Sequence, residues 1–389
     1  MLYNLLQMSD QWLDSVGLYS VLQVLYQREF RAFFAVVLAF FIVMILGKRM
    51  IRWLVRLKIG DCAEFDNDQL NALMQNKENT PTMGGLLLVG SIIVTTLLLA
   101  DLFNRYVHLI LAVIVVLAAV GSADDWLKLV GARRKPGSRD GLLSWEKLLF
   151  QLGVGLVVGY FAWQLSGDSL AAKSLTLPLM RTYEPGLETL TLAPNVIILP
   201  AAVFILIAAL MVGGITNAVN YTDGLDGLAP GLMVIASFAI MVFCYIAGSP
   251  DLAGYLLMPY VEGVAELMVV AGAAAGACLG FLWFNAYPAQ MIMGDTGSLP
   301  LGGMLATIGI VVRQELLVLI ICGVFLVELC SSFLQRRYFK WTNGKRIFKC
   351  APLHHHYHYM GWSESQIVVR FWVIGVILAM LAIVSIKMR

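Results

Sequence analysis

Two aspartates stand side by side at 124 and 125, with Lys128 just beyond, where an apolar stretch gives way to charge. Adjacent carboxylates raise one another's pKa unless a cation neutralises them, and hard oxygen ligands suit Mg2+. A plain helix end with Lys128 as partner accounts for the pair as well. A second cluster places Asn217, Asn220, Asp223 and Asp226 at intervals of three, so that each like pair can share a helical face. Gly224 and Gly227, on either side of Leu225 and Asp226, allow a sharp turn or a close approach of backbone to ligand. Amides and carboxylates so grouped can read the edges of a base or ribose. A helix cap and turn would explain one Asn and one Gly, but not two Asn and two Asp. Asp295 lies among Gly294 and Gly297, where it can cap a helix, reach a metal or stand beside backbone donors to phosphate.

Four of the five histidines, His354, His355, His356 and His358, fall within five residues. Three consecutive imidazoles cannot all ligate one metal from a regular helix or strand, whereas beside Lys345 and Arg346 they suit pyrophosphate. Thr80, Pro81, Thr82, Gly84 and Gly85 make a defined start to a helix, with Lys77 shortly before. Glu328 is an acid inside an apolar run, which is a functional signal by default. With Ser331 and Ser332 nearby, it reads here as the mark of a helix bend.

The elements that position these groups are set by composition. Of 389 residues, 59% are hydrophobic and 13% charged, with mean hydropathy +0.79. A soluble domain carries roughly twice that charge, about 25%. A water-soluble enzyme and a disordered chain are excluded, and a net charge of +2 offers no polybasic stripe for nucleic acid. The six cysteines are scattered and read as small core residues. An apolar helix needs about 20 residues to cross the hydrocarbon core. Ten runs qualify or nearly so: 30–47, 83–102, 107–123, 148–165, 194–215, 227–248, 268–284, 299–312, 316–333 and 367–386. Only Arg313, Gln314 and Glu315 separate the eighth from the ninth. Residues 1–29 read as an interfacial segment of the same single domain. The expected fold is therefore all-α and polytopic, with about ten transmembrane helices.

Lys and Arg set the orientation. Eighteen of the 27 basic residues follow the first, third and ninth runs. Odd-numbered loops then face the cytoplasm, and both termini face the periplasm. Every polar cluster described above falls in an odd loop, so one membrane face carries the chemistry.

Six motifs in order resemble the phospho-N-acetylmuramoyl-pentapeptide transferases, within the superfamily of polyprenyl-phosphate sugar-phosphate transferases. They are TPTMGG at 80–85, DDWLK at 124–128, NAVNYTDGLDGLA at 217–229, GFLWFNAYPAQ at 280–290, MGDTGSL at 293–299 and APLHHHY at 351–357. The resemblance implies transfer of phospho-MurNAc-pentapeptide from UDP-MurNAc-pentapeptide to undecaprenyl phosphate, giving lipid I and UMP with Mg2+ as cofactor. It further implies a bacterial cytoplasmic (inner) membrane enzyme, a cytoplasmic site, a bent ninth helix beside a lipid groove, and a homodimer. Asp124, Asp125 and Asp295 match the catalytic aspartates, Asp295 the metal ligand, and His354, His355 and His356 the histidine motif. Asn217, Asn220, Asp223, Gly224, Leu225 and Asp226 match the nucleotide-binding stretch, and Lys77, Thr82 and Lys128 the cleft lining. Loop 131–141 departs from the pattern: Arg139 and Asp140 stand where relatives often carry a lysine. A transferase of GlcNAc-phosphate is the neighbouring enzyme reading. A transporter is the non-enzyme reading, disfavoured because its ionisable groups belong near the bilayer midplane.

Overall fold

A computed structural model of the chain describes residues 1–9, 14, 22–57, 80–134, 141–185 and 190–387. Lys77, Arg139 and Asp140 lie outside these residues, as do residues 10–13 and 15–21 of the interfacial segment. Among the described residues the fold is helical apart from a two-residue antiparallel pairing of β1 (Ser174–Leu175) with β2 (Ile197–Ile198).

Every apolar run lies mostly in a helix, the ninth divided between two, and three short helices lie outside the runs. In chain order the helices are α1 (Leu2–Met8), α2 (Arg28–Arg56), α3 (Gly85–Leu99), α4 (Arg105–Arg134), α5 (Ser144–Leu165), α6 (Ala201–Thr222) and α7 (Leu228–Ala247). There follow α8 (Pro250–Tyr255), α9 (Leu267–Asn285), α10 (Asp295–Val311), α11 (Glu315–Ile321), α12 (Gly323–Trp341), α13 (Leu353–Tyr359) and α14 (Glu364–Lys387). Seven of the described helices are long and apolar enough to cross a membrane, or eight if the bent α11–α12 pair is one span. α3 and α10 are apolar but shorter, at 15 and 17 residues.

Two boundaries differ from the sequence expectation. α4 continues to Arg134, so Asp124 and Asp125 sit within a helix rather than at its end. The bend in the ninth run, 78°, falls at Cys322 between α11 and α12, not at Glu328, Ser331 and Ser332. The three residues parting α10 from α11 suffice because all are buried: Arg313 takes a positive φ of 58° and pairs with Glu315 at 2.6 Å. Cys244, Cys278 and Cys322 are buried as expected, whereas Cys330 is exposed.

Lipid supplies no hydrophobic drive between helices, so close backbone packing must hold them together. Gly272, Gly276 and Gly280 on α9 face the backbone of α2 at Ala32, Val36 and Phe40, and a Cβ at each would overlap it. Gly155 and Gly159 on α5 meet α6 in the same way.

Chain direction alternates, so polar groups gather at two ends. One end holds Arg31, whose Nη2 lies 3.0 Å from Glu266 Oε2 and whose Nη1 donates to the Leu99 carbonyl at 2.9 Å. Glu266 Oε1 accepts the Asp101 N–H at 2.7 Å. Met1 and Lys387 share this end, contacting Leu97 and Tyr255 respectively. The other end holds Asp124, Asp125, Asp295 and the histidines.

Removing one member of a buried ion pair leaves an uncompensated charge, at a cost of about 3–5 kcal/mol. Glu266→Ala should therefore lower the thermal unfolding midpoint of the purified protein by several degrees. Replacing both Arg31 and Glu266 with Met should recover most of the loss.

Candidate active site

Asp124 and Asp125 approach Asp295 because α4 packs against α10 with almost no gap. At Gly121, one turn before Asp125, a Cβ would overlap the Asp295 carbonyl. The first N–H groups of a helix lack internal partners. Here Asp125 supplies them from another helix: Oδ2 accepts the Thr296 N–H at 2.9 Å and its hydroxyl at 2.7 Å, and Oδ1 accepts the Asp295 N–H at 3.2 Å. Gly294, with φ of 74°, admits this approach; a Cβ there would stand 2.6 Å from Asp125 Oδ2. Asp295 is thus the first residue of α10 rather than its cap.

The three carboxylates each offer an oxygen within 4.8 Å of the others. Two ammonium groups hold them. Lys147 Nζ lies 2.6 Å from Asp124 Oδ2 and 2.8 Å from Asp295 Oδ2. Lys128 Nζ lies 2.6 Å from Asp124 Oδ2, 3.4 Å from Asp295 Oδ2 and 3.9 Å from Asp125 Oδ1. Asp124 Oδ1 also accepts the Leu142 N–H at 2.7 Å. Asn220 Nδ2 donates to Asp295 Oδ1 at 2.8 Å and to Ser298 Oγ at 2.9 Å. One turn earlier on α6, Asn217 is bound to Gln151 and donates to the Gly213 carbonyl at 2.7 Å, away from the carboxylates.

α6 ends at Thr222, so Asp223 and Asp226 lie in a turn and not on a common helical face. Asp223 accepts a backbone hydrogen bond from Gly294. Burial, followed by the charges of Asp295 and Asp125, pushes its carboxyl well above the usual range. Asp226 Oδ2 accepts the Ala289 N–H at 3.0 Å, anchoring the 286–290 segment. Leu225 is buried, and Gly224 is pressed against the His354 ring so closely that a Cβ would overlap it. Thr82 is buried, with its hydroxyl beside Gly294. It is held by short backbone bonds: Gly84 N–H to the Ile292 carbonyl at 2.8 Å and Gly85 N–H to the Met293 carbonyl at 2.9 Å.

The histidines form a second group, on α13. His354 Nδ1 lies 3.0 Å from Glu328 Oε2, and its backbone N–H donates to Glu328 Oε1 at 3.2 Å. The rings of His354 and His355 are 4.2 Å apart, and both residues are buried. His356 Nδ1 accepts the Lys349 N–H at 3.1 Å. The turn of Asp223 and Gly224 joins the groups, since Asp223 meets Gly294 and Gly224 meets His354.

Lys147, Thr296, Ser298 and Glu328 complete the site and were not recognised from the sequence as parts of it. Lys147 had a signal: it lies in the first turn of α5, where the helix dipole disfavours a cation. Such a lysine needs an anionic partner from elsewhere. Thr296 and Ser298 offered none, being ordinary small polar residues at a helix start.

Three carboxylates against two ammonium groups leave one negative charge, and an ionised Asp223 would add a second. Buried excess of that sign, presented on hard oxygens, fits a divalent cation such as Mg2+. The fold and this site define a polytopic membrane protein with a carboxylate centre suited to phosphoryl chemistry. The glycosyl transferase family 4 profile matches residues 107–313. Proteins called phospho-N-acetylmuramoyl-pentapeptide-transferase match almost end to end. That of Desulfotalea psychrophila is 43% identical over 359 residues, covering 92% of this chain and 93% of the relative. That of Nitratidesulfovibrio vulgaris strain DP4 is 42% identical over 389 residues, covering all of both. That of Geobacter sp. strain M21 is 41% identical over 371 residues, covering 95% and 97%. The chain belongs to the phospho-N-acetylmuramoyl-pentapeptide-transferase family.

A ligand that binds only the folded state raises its apparent stability. Millimolar Mg2+ should raise the unfolding midpoint of the wild-type protein, and Asp295→Asn should abolish that shift while the variant remains folded. An equal shift in both would remove Asp295 from the metal site.

Proposed function

We propose that the protein transfers phospho-MurNAc-pentapeptide from UDP-MurNAc-pentapeptide to undecaprenyl phosphate, releasing UMP and forming lipid I. It does so in the inner membrane as a homodimer of ten-span chains, in the first membrane step of peptidoglycan synthesis. The observation that carries the reading is the buried group of Asp124, Asp125 and Asp295 with its two lysines. The orientation rests on the basic residues: Lys48, Arg49, Arg52 and Arg56 on α2, and Arg336, Arg337 and Lys340 on α12, share the end of the carboxylates. By the rule that cytoplasmic loops are positive, that end is cytoplasmic and both termini are periplasmic.

The two substrates are both anionic, so repulsion between phosphates is the first obstacle. Asp295, with Asp124 or Asp223, would hold Mg2+, which when bound neutralises charge on the pyrophosphate and on the leaving phosphate. Lys128 and Lys147 add fixed positive charge beside it. Asp124 has both oxygens engaged, Oδ2 by two ammonium groups at 2.6 Å and Oδ1 by the Leu142 N–H, which makes it a poor proton acceptor. Asp125, 3.9 Å from the nearest ammonium, is the better base for the proton of the lipid phosphate. The freed phosphate oxygen attacks the β-phosphorus, and the bond to the UMP phosphate breaks. His355, steadied against His354 and through it by Glu328, stands to donate a hydrogen bond to the departing phosphate. The turn of 223–227 with Asn220 holds the nucleotide, and Thr82 lines the cleft.

UMP release by the purified protein with undecaprenyl phosphate tests the assignment. Release from UDP-MurNAc-pentapeptide is expected; release from UDP-GlcNAc alone would move the protein to a sister activity, and release from neither would overturn the enzyme reading. A phosphorylated Asp124 or Asp125 recovered after quenching would replace direct attack with a two-step path.

A further inference from the structure

The basic residues past the bend take no part in the chemistry above. Arg336 and Lys340, one turn apart on α12, and Arg346 from the segment after it line an open cavity of 480 Å³. This geometry is built by hydrogen bonds. Gln335 Oε1 accepts the Ile347 and Phe348 N–H groups, each at 3.0 Å, and so folds that segment back onto the helix. Arg336 Nη2 donates to the Tyr221 hydroxyl at 2.8 Å, and its Nε to the Ser332 carbonyl at 3.3 Å. No acidic side chain pairs with Arg336, Lys340 or Arg346 among the described residues. Three like charges around one cavity repel one another, and an anion placed among them relieves that repulsion.

The cavity adjoins both halves of the site. Tyr221, in its wall, follows Asn220, the residue that holds Asp295. Ala351 and Pro352, also in its wall, lead directly to His354.

We propose that this cavity receives the C-terminal carboxylate of the donor's peptide. The proposal rests on the transferase reading, in which the migrating group carries a pentapeptide. Every such peptide ends in a planar carboxylate, which the fork of an arginine matches in geometry as well as charge. Five extended residues span about 17 Å, enough to anchor that carboxylate away from the reacting phosphorus. Phe339 and Pro352 give the peptide's side chains an apolar wall. Arg336, Lys340 and Arg346 are then specificity-determining residues that select a muramoyl-peptide donor over a bare nucleotide sugar.

The test compares donors with a free and an amidated peptide C-terminus, in neutral detergent. The proteins are the wild type and a variant combining Arg336→Gln, Lys340→Gln and Arg346→Gln. For the wild type, amidation should raise KM about tenfold, the scale of a charge-assisted contact, with a smaller change in kcat. The variant should show that raised KM with the free acid and no longer distinguish the two donors. Its KM for the amide should match the wild type's, which also reports an intact fold. Indifference of the wild type to amidation would overturn the proposal, as would equal losses by the variant with both donors. A defect seen only after anionic phospholipid is added would assign the cavity to a lipid headgroup and overturn it too. UMP release from neither donor overturns the transferase reading itself, a result distinct from indifference to the carboxylate.

Discussion

The contact of Asp125 with the first turn of α10 is the constraint on which the carboxylate centre depends. Unpaired N–H groups at a helix start must find acceptors, and in a bilayer water is scarce at such depth. The acceptor comes from α4, some 170 residues earlier in the chain. Once that bond is made, Asp295 is necessarily beside Asp124, and the two lysines are drawn in by the charge so concentrated. The glycines at 121 and 294 follow from the same contact, because any side chain there would push the two backbones apart. A requirement of helix termination therefore assembles a group of carboxylates capable of holding a metal.

The two ends of the molecule show how differently buried charge can be arranged. At the end shared by Met1 and Lys387, buried arginines are matched one to one: Arg31 with Glu266, and Arg313, whose guanidinium also donates to the Ser174 carbonyl at 2.7 Å, with Glu315. Such closed pairs fix helix ends and leave no charge over. At the other end the carboxylates outnumber the ammonium groups beside them, and past the bend Arg336, Lys340 and Arg346 have no acidic partner among the described residues. Charge left unbalanced by the fold is charge available to a ligand, negative where a metal belongs and positive where an anion does.

The bend at Cys322 links these regions. By turning 78° it carries α12 across the end of the bundle instead of continuing α11 through it. Glu328 on α12 then reaches back to α13 and grips His354 by both ring and backbone. The histidine segment is held by an acid that the sequence places in an apolar run, where it looks like a defect in a helix.

Much was legible from sequence because the bilayer is a severe solvent. Apolar length marked the long helices, and the placing of polar clusters between alternate runs gathered them at one end. The separations of 124, 125 and 295 said nothing of distance, yet each aspartate adjoined the end of an apolar run on one face, which narrowed where they could meet. Lys147, a cation in the first turn of a helix, called for an anionic partner, but its partners lie 23 and 148 residues away and no local pattern names them. Asn217 and Asn220 looked equivalent at a spacing of three, but a rotation of about 300° around α6 sends one to Gln151 and the other to Asp295. Local hydrophobicity, then, determined by itself which segments are helices and which end carries the chemistry. The packing of α4 on α10, set by close approach of backbones far apart in the chain, decided which charged groups touch.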